Sequence, residues 1–388
     1  MPGVLSEYEL HGKQLVVMMR PWVRWVPAAA VPAVIATVVV AAPFAAGADS
    51  TLPPKSPAEV VALAAGSDEL SFTGTVEQTS KLGLPELDLP GSPDRAALTQ
   101  AIDLLTGTHT ARVYLDGPDK ARLQVMDELG ERDVVRNGND VWVYTFADNT
   151  AVHFTRPEAP EDKGQHDERV APGEVATPAD LAQKFLDAID PSTEVTVGND
   201  ISVAGRPAYT LILAPETSGT LIESVSIAVD GATGLPLGVD ITSNSQTESA
   251  FSVAFTELAL EAPGSERFQP PNGATIQEET LPGHSGALPD YPPATGPEYF
   301  SDHDAHPGSV PSGWTISGTG WATVVGIEGR NAASALQGSP LLQAAEAVDG
   351  GRLISTALVN VLLTDDGRVF AGSVPLKVLL DVSASSGQ

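Results

Sequence analysis

Apolar residues fall at every second position along much of the chain, the period of strands that bury one face of a sheet. "ELSFTGTVEQ" sets Leu70, Phe72 and Val76 on one parity against Ser71, Thr73, Thr75 and Glu77 on the other. A meander is predicted next: "TARVYLDG" and "KARLQVMD" meet at a Gly-Pro-Asp turn, "ERDVVRNGNDVWVYTF" turns at Asn137-Gly138, and "TAVHFTR" returns. Asn-Gly between such runs is a strong hairpin signal, because both residues tolerate positive φ. Further on, "GNDISVAGRPAYTLILAP", "LIESVSIAVD", "LPLGVDITSN" and "ESAFSVAFTEL" are predicted strands, most of them alternating as one-sided antiparallel sheets do.

One hairpin breaks the alternation. In "DVWVYTFADNTAVHF", Trp142, Tyr144 and Phe146 share one parity, yet Val141 and Val143 on the other are apolar too. Neither face suits water, so each needs a cover. The pattern leaves open which parity faces inward.

Helix signals interrupt the strands. Ser56-Pro57-Ala58-Glu59 reads as an N-cap with Pro at the first helical position, and Thr177-Pro178-Ala179-Asp180 opens "ADLAQKFLDAI", with Leu181, Phe185 and Ile189 at i, i+4, i+8. A further helix is predicted over Ser92 to Leu105. Between the first strand and that helix, "TSKLGLPELDLPGSP" carries Leu82, Leu84, Leu87 and Leu89 in a Pro- and Gly-broken loop that should fold onto something apolar.

From Glu261 to Pro297 the chain is dense in Pro and Gly and lacks a period, so 261–298 is read as a linker. Beyond it, "GWTIS", "GWATVVGI", "RLISTALVNVLLT" and "RVFAGSV" predict strands, with a turn at Asp365-Asp366-Gly367. Ser373-Val374-Pro375-Leu376 reads as the start of a terminal helix. Residues 299–388 thus form a small α+β domain.

Charge and composition narrow the function classes. A net charge of −29, from 50 acids against 21 bases, repels a phosphate backbone and argues against nucleic-acid binding. The absence of cysteine removes disulfides, zinc-thiolate and iron-sulfur sites, and the thiol that lipid attachment requires. Arg20 and Arg24 precede the apolar "VPAAAVPAVIATVVVAAPFAA", and Ala46-Gly47-Ala48 then gives way to Asp49. Residues 1–48 read as a signal peptide cleaved after Ala48, with Met18 or Met19 as an alternative start and a retained membrane anchor as the other reading. Either places the folded part outside the cytoplasm.

Catalytic patterns are wanting. "PGHSGALP" has Ala287 where a nucleophile elbow at Ser285 needs glycine, and "FSDHDAHPG" gathers His303 and His306 beside Asp302 and Asp304 at no metal-site spacing. His109 and His153 read as ordinary sheet residues. No Gly-rich loop joins a strand to a helix in phosphate-binding order. The sequence predicts no enzyme, no catalytic residue, no metal site and no cofactor.

"FTGTVEQ", "ARVYLDGPDKARLQV" and "VVRNGNDVWVYTFADNTAVHF", where Gly138 is followed by the aromatic-rich Trp142 to Phe146, resemble the LolA-like fold shared by the lipoprotein carrier LolA and the N-terminal domain of the RseB/MucB regulators. The resemblance spans Ser56 to Leu260, so 56–260 is expected to be an unclosed antiparallel β half-barrel with a helical lid, in an α+β protein. It implies that the concave face takes the acyl chains of a lipid or lipoprotein, as in a carrier. On that implication, Trp142, Tyr144 and Phe146 are assigned to the pocket. Leu70, Phe72, Val113, Leu115, Leu211 and Leu213 are further candidates, as are Val225, Ile227, Val239, Ile241, Phe251 and Val253. The additional C-terminal domain suits the RseB/MucB arrangement, a sensor whose second domain contacts a membrane anti-sigma factor. A ligand-free structural module of the cell envelope is the third reading.

Overall fold

The structure, a computed structural model, describes residues 52–67, 70–84, 106–127, 130–155, 177–279, 313–327, 342 and 345–386. The N-terminal signal or anchor, the helix expected over Ser92 to Leu105, Leu87, Leu89, Ser285, His303 and His306 lie outside these residues. Among the described residues no helix is long and apolar enough to cross a membrane.

The alternating segments become a large unclosed sheet. Strand β1 (Ser71–Lys81) is central, and on one side of it runs the meander β2 (Thr106–Asp116), β3 (Lys120–Asp127), β4 (Gly130–Asn137), β5 (Asp140–Thr145) and β6 (Thr150–Thr155). On the other side lie β12 (Phe251–Ala259), β11 (Pro236–Ser243), β10 (Ile222–Asp230), β9 (Arg206–Pro215) and β7 (Thr193–Val197), while β8 (Ile201–Val203) pairs off the path with β9. All these pairings are antiparallel. The β4–β5 turn falls at the predicted place, with Gly138 at φ 62.

Two of the start signals cap helices by the same reciprocal device, whereas the terminal helix, expected to be capped at Ser373, has Pro375 as its N-cap with no side-chain cap bond. For α1 (Pro57–Ala64), the Ser56 N–H donates to Glu59 Oε2 at 2.8 Å, while Ser56 Oγ accepts from the Glu59 N–H at 3.4 Å. For α2 (Pro178–Asp187), Thr177 and Asp180 make the corresponding bonds at 2.7 and 3.2 Å. Leu181 and Phe185 are buried, and α2 packs on β11. The core around β1 and β12 is close-fitted: Phe72 meets Phe255 edge to face at 5.5 Å, and a Cβ on Gly74 would come within 2.6 Å of the Phe255 ring.

A second sheet has the order β14 (Trp314–Ser317), β15 (Val324–Ile327), β19 (Val369–Gly372), β18 (Asn360–Thr364), β17 (Gly351–Ser355) and β16 (Glu346–Val348). Helix α3 (Leu376–Ser385) packs on it through Leu379, with Pro375 in the cap position. "RLISTALVNVLLT", expected as one strand, is instead a hairpin. Thr356 Oγ1 accepts from the N–H groups of Leu358 and Val359, so the chain turns there. The apolar tip, Ala357, Leu358 and Val359, is buried in the core of the large sheet.

The stretch read as linker is also partly structured. Ser265–Phe268 forms a 3-10 turn, and β13 (Thr275–Glu279) adds to β6 in parallel, the one parallel pairing among the described strands of the large sheet.

Candidate apolar binding site

Cross-strand partners share a face, so the register sorts every candidate onto one side of the sheet or the other. Phe72 pairs with Leu115, and Val113 pairs with Leu123, followed by Val134, Val143 and Val152 on successive strands. In the other direction, the same parity of β1 leads through Gln78 to Val253, Val239, Ile227 and Leu211. Phe251, Ile241, Val225 and Leu213 form the adjoining row. We call this the inner face.

Burial along it is graded. The β9 to β12 part is a packed core, with Leu211, Val225, Ile227, Val239 and Val253 all at 0% exposure. These residues are already covered by the chain itself. In the β2 to β6 wing, Val113, Leu123, Val141 and Phe154 are buried, whereas Leu115, Val134, Val143 and Val152 are only half-buried. Leu70, just before β1, is half-buried as well. Among the described residues, the wing therefore carries aliphatic side chains that are only half-buried.

Trp142 and Tyr144 lie on the opposite, outer face, because Tyr114, Arg122, Val135 and Trp142 are successive partners, as are Gln124, Asp133 and Tyr144. Phe146 sits in the 3-10 turn after β5 and is 62% exposed. The assignment of Trp142, Tyr144 and Phe146 to the same face as the other candidates is thus corrected. It is the Val141 and Val143 parity that continues the inner face.

What covers the aromatic parity is the chain beyond β12. Phe268 is fully buried against Tyr114, Val135 and Trp142, and its carbonyl accepts from Asn137 Nδ2 at 3.3 Å. The Arg267 guanidinium stands 5.3 Å over the Tyr114 ring, and the Arg267 carbonyl accepts from Arg122, whose guanidinium also pairs with the buried Asp133. From there the strap reaches the sheet edge as β13, fixed at its start by the Thr275 N–H on the Asn149 carbonyl at 2.9 Å and by Asn149 Nδ2 on the Gly273 carbonyl at 3.0 Å. Asn149 adopts φ 51, a conformation asparagine tolerates.

No protein-family model matches the chain, and no curated protein matches it in sequence. Among solved structures the fold is similar to MucB in complex with MucA(peri), at 17% identity over 84% of this chain and 97% of that chain, with a TM-score of 0.41. The Pseudomonas aeruginosa MucA/MucB complex aligns at 18% identity over 84% and 96%, TM-score 0.40. A LolA superfamily protein from Nitrosomonas europaea aligns at 12% identity over 56% of this chain and 98% of that one, TM-score 0.23. At these TM-scores the likeness is loose.

The half-buried aliphatic side chains Leu115, Val134, Val143 and Val152 share the inner face with the half-buried Arg132 and Arg136, which the same register places there, and among the described residues no group of three or more His, Asp or Glu side chains could hold a metal ion. Such a surface attracts any apolar chain without demanding direction from it. Three titratable groups with shifted behaviour lie off this face: Asp230 in a bidentate pair with Arg206 at 2.8 and 2.9 Å, Asp240 beside Ser249, and His153 between Asp140 and Glu278. His153, expected as an ordinary sheet residue, makes ion-pair contacts from within β6. Phe268 was invisible to periodicity because it stands in a segment with no period; a lone Phe amid Pro and Gly is the only mark it leaves in the sequence.

Proposed function

We propose that the protein is an extracytoplasmic binding protein that holds acyl chains of a lipid or lipoprotein against the inner face of the β2 to β6 wing, acting as a carrier. One observation carries the reading: Leu115, Val134, Val143 and Val152 are half-buried on the same face whose other half is fully packed. The extracytoplasmic placement rests on the N-terminal run. Burying a sixteen-carbon chain contributes a gross term on the order of 12 kcal/mol before ordering costs, at about 0.8 kcal/mol per CH₂. That is ample for affinity without a charged contact.

A regulatory role, in which the C-terminal unit holds a membrane-protein partner and responds to lipid, is favoured by a separate contact. The Ala357 N–H at the tip of the second sheet's hairpin donates to the Leu82 carbonyl at 2.8 Å, just past the end of β1. The Ala357 carbonyl accepts from Ser243 Oγ at 2.7 Å. The root of the leucine-bearing loop is therefore tied to the smaller sheet.

Native mass spectrometry of the purified protein followed by organic extraction tests the carrier reading. An acyl-bearing molecule near one copy per chain is expected, together with uptake of a fluorescent fatty acid that Val143→Glu weakens about tenfold or more. A clean apo mass with no uptake of added probe would make the sheet a self-packed envelope module instead.

A further inference from the structure

On the outer face, one side chain bridges three strands. His153 on β6 is 15% exposed, its Nδ1 lies 2.6 Å from Glu278 Oε2 on β13, and its Nε2 lies 2.9 Å from Asp140 Oδ1 on β5. Its ring stacks on Trp142 with centroids 4.9 Å apart. A neutral imidazole has one N–H and one bare lone pair, so it can donate to only one of two carboxylates and turns its lone pair on the other. Protonated, it donates to both, and the cation also faces the indole.

We propose that His153 is a proton-operated latch: its imidazolium holds the C-terminal end of β13 on the hairpin, and loss of the proton lets that end fray. The direction of fraying follows from what remains. At the other end, Thr275 and Gly273 are held by Asn149 through bonds that involve no titratable group. Opening therefore runs from Glu279 back toward Thr275 and bares the edge of β6, whose backbone groups β13 otherwise occupies.

The groups facing the ring support this. Asp140 comes from β5 and Glu278 from β13, while the cations nearest along the sheet are already engaged, Arg122 with Asp133 and Lys120 with Asp116 at 2.7 Å. On β6 itself, the neighbours of His153 on this face are Ala151 and Thr155, both uncharged. Burial pulls the imidazole toward its neutral form, but the bonds to Glu278 and Asp140 outweigh it, leaving the group above its ordinary 6.5. A raised histidine contributes stability that is complete below the unfolded value and fades as pH rises through the folded one. The latch is closed in acid and opens on the alkaline side.

Hydrogen exchange on the full chain, followed from about pH 6 to pH 9 and normalised for the intrinsic rate at each pH, tests this across the range where a raised histidine titrates. Protection of the peptide covering 275–279 should fall several-fold with a midpoint above 6.5, while β9 to β12 stays unchanged. Glu278→Gln should move that midpoint down, and His153→Gln should remove the step. A wild-type profile without a step overturns the proposal, as does a step that persists at the same pH in Glu278→Gln. If His153→Gln does not fold, the Glu278→Gln comparison decides alone.

Discussion

Trp142 and His153 stack nearly parallel, their ring planes 13° apart, on the side of the sheet opposite Val143 and Val152. The most aromatic stretch of the chain is thus part of a protein-to-protein seam with Phe268. Trp142→Glu is expected to lower stability by roughly 1 to 3 kcal/mol through lost packing while leaving fatty-acid affinity of the folded protein unchanged. Val143→Glu should do the reverse, cutting affinity about tenfold or more by placing a charge where an acyl chain would lie. Denaturant titration and probe binding on both variants separate the two faces.

Asp230 is wholly buried and answered by Arg206 in a two-pronged pair, with Thr233 adding a backbone and a hydroxyl donor. Burial pushes its carboxyl up, but these partners together hold it below the usual value. A depressed carboxylate contributes stability above about pH 4 and loses it as pH falls through its folded value. Arg206→Leu should cost about 3 kcal/mol at neutral pH, because it strands a buried charge, and should flatten the acid limb of the stability profile. Urea midpoints at neutral and acid pH supply the check.

Asp240 has the opposite sign. Burial raises its carboxyl, opposed by the hydrogen bond from Ser249, so folding shifts it toward the neutral form. Its stability contribution is most favourable in acid and declines above the ordinary carboxylate value. Asp240→Asn keeps an acceptor for the Ser249 hydroxyl, which donates at 2.6 Å, and removes the charge. A higher melting temperature than wild type at neutral pH is expected, with the advantage vanishing in acid.

Ala204 adopts φ 50 in the turn between β8 and β9, followed by Gly205 at φ 73. An L residue with a plain Cβ pays for that conformation, whereas asparagine suits the first position of such a two-residue turn. Ala204→Asn should stabilise by about 0.5 to 1 kcal/mol in a thermal melt.

Local chemistry was the legible part of this fold. Ser56 with Glu59, Thr177 with Asp180, and Gly138 each act within a few residues, so their effect can be read without knowing what lies across the sheet. The face of Trp142 could not be read in that way, because both parities of β5 are apolar and the choice depends on Phe268, more than a hundred positions downstream. For the same reason Ala357, Leu358 and Val359 look like strand interior: their burial comes from another sheet, and only the Thr356 hydroxyl marks the turn. Among the candidate site residues, the parity of each strand was legible, but whether a given valine meets protein or an open surface depended on the packing of β9 to β12.

The pairing of β1 with β12 has a kinetic meaning. Thr75 Oγ1 donates to Glu257 across that seam although the two are 182 positions apart in sequence. Each meander closes through short turns, but joining them requires a very long loop to be drawn shut, which is the slow kind of contact in folding. The two halves of the sheet should therefore form early and separately, with the zipping of β1 onto β12 as the late event that sets the overall rate.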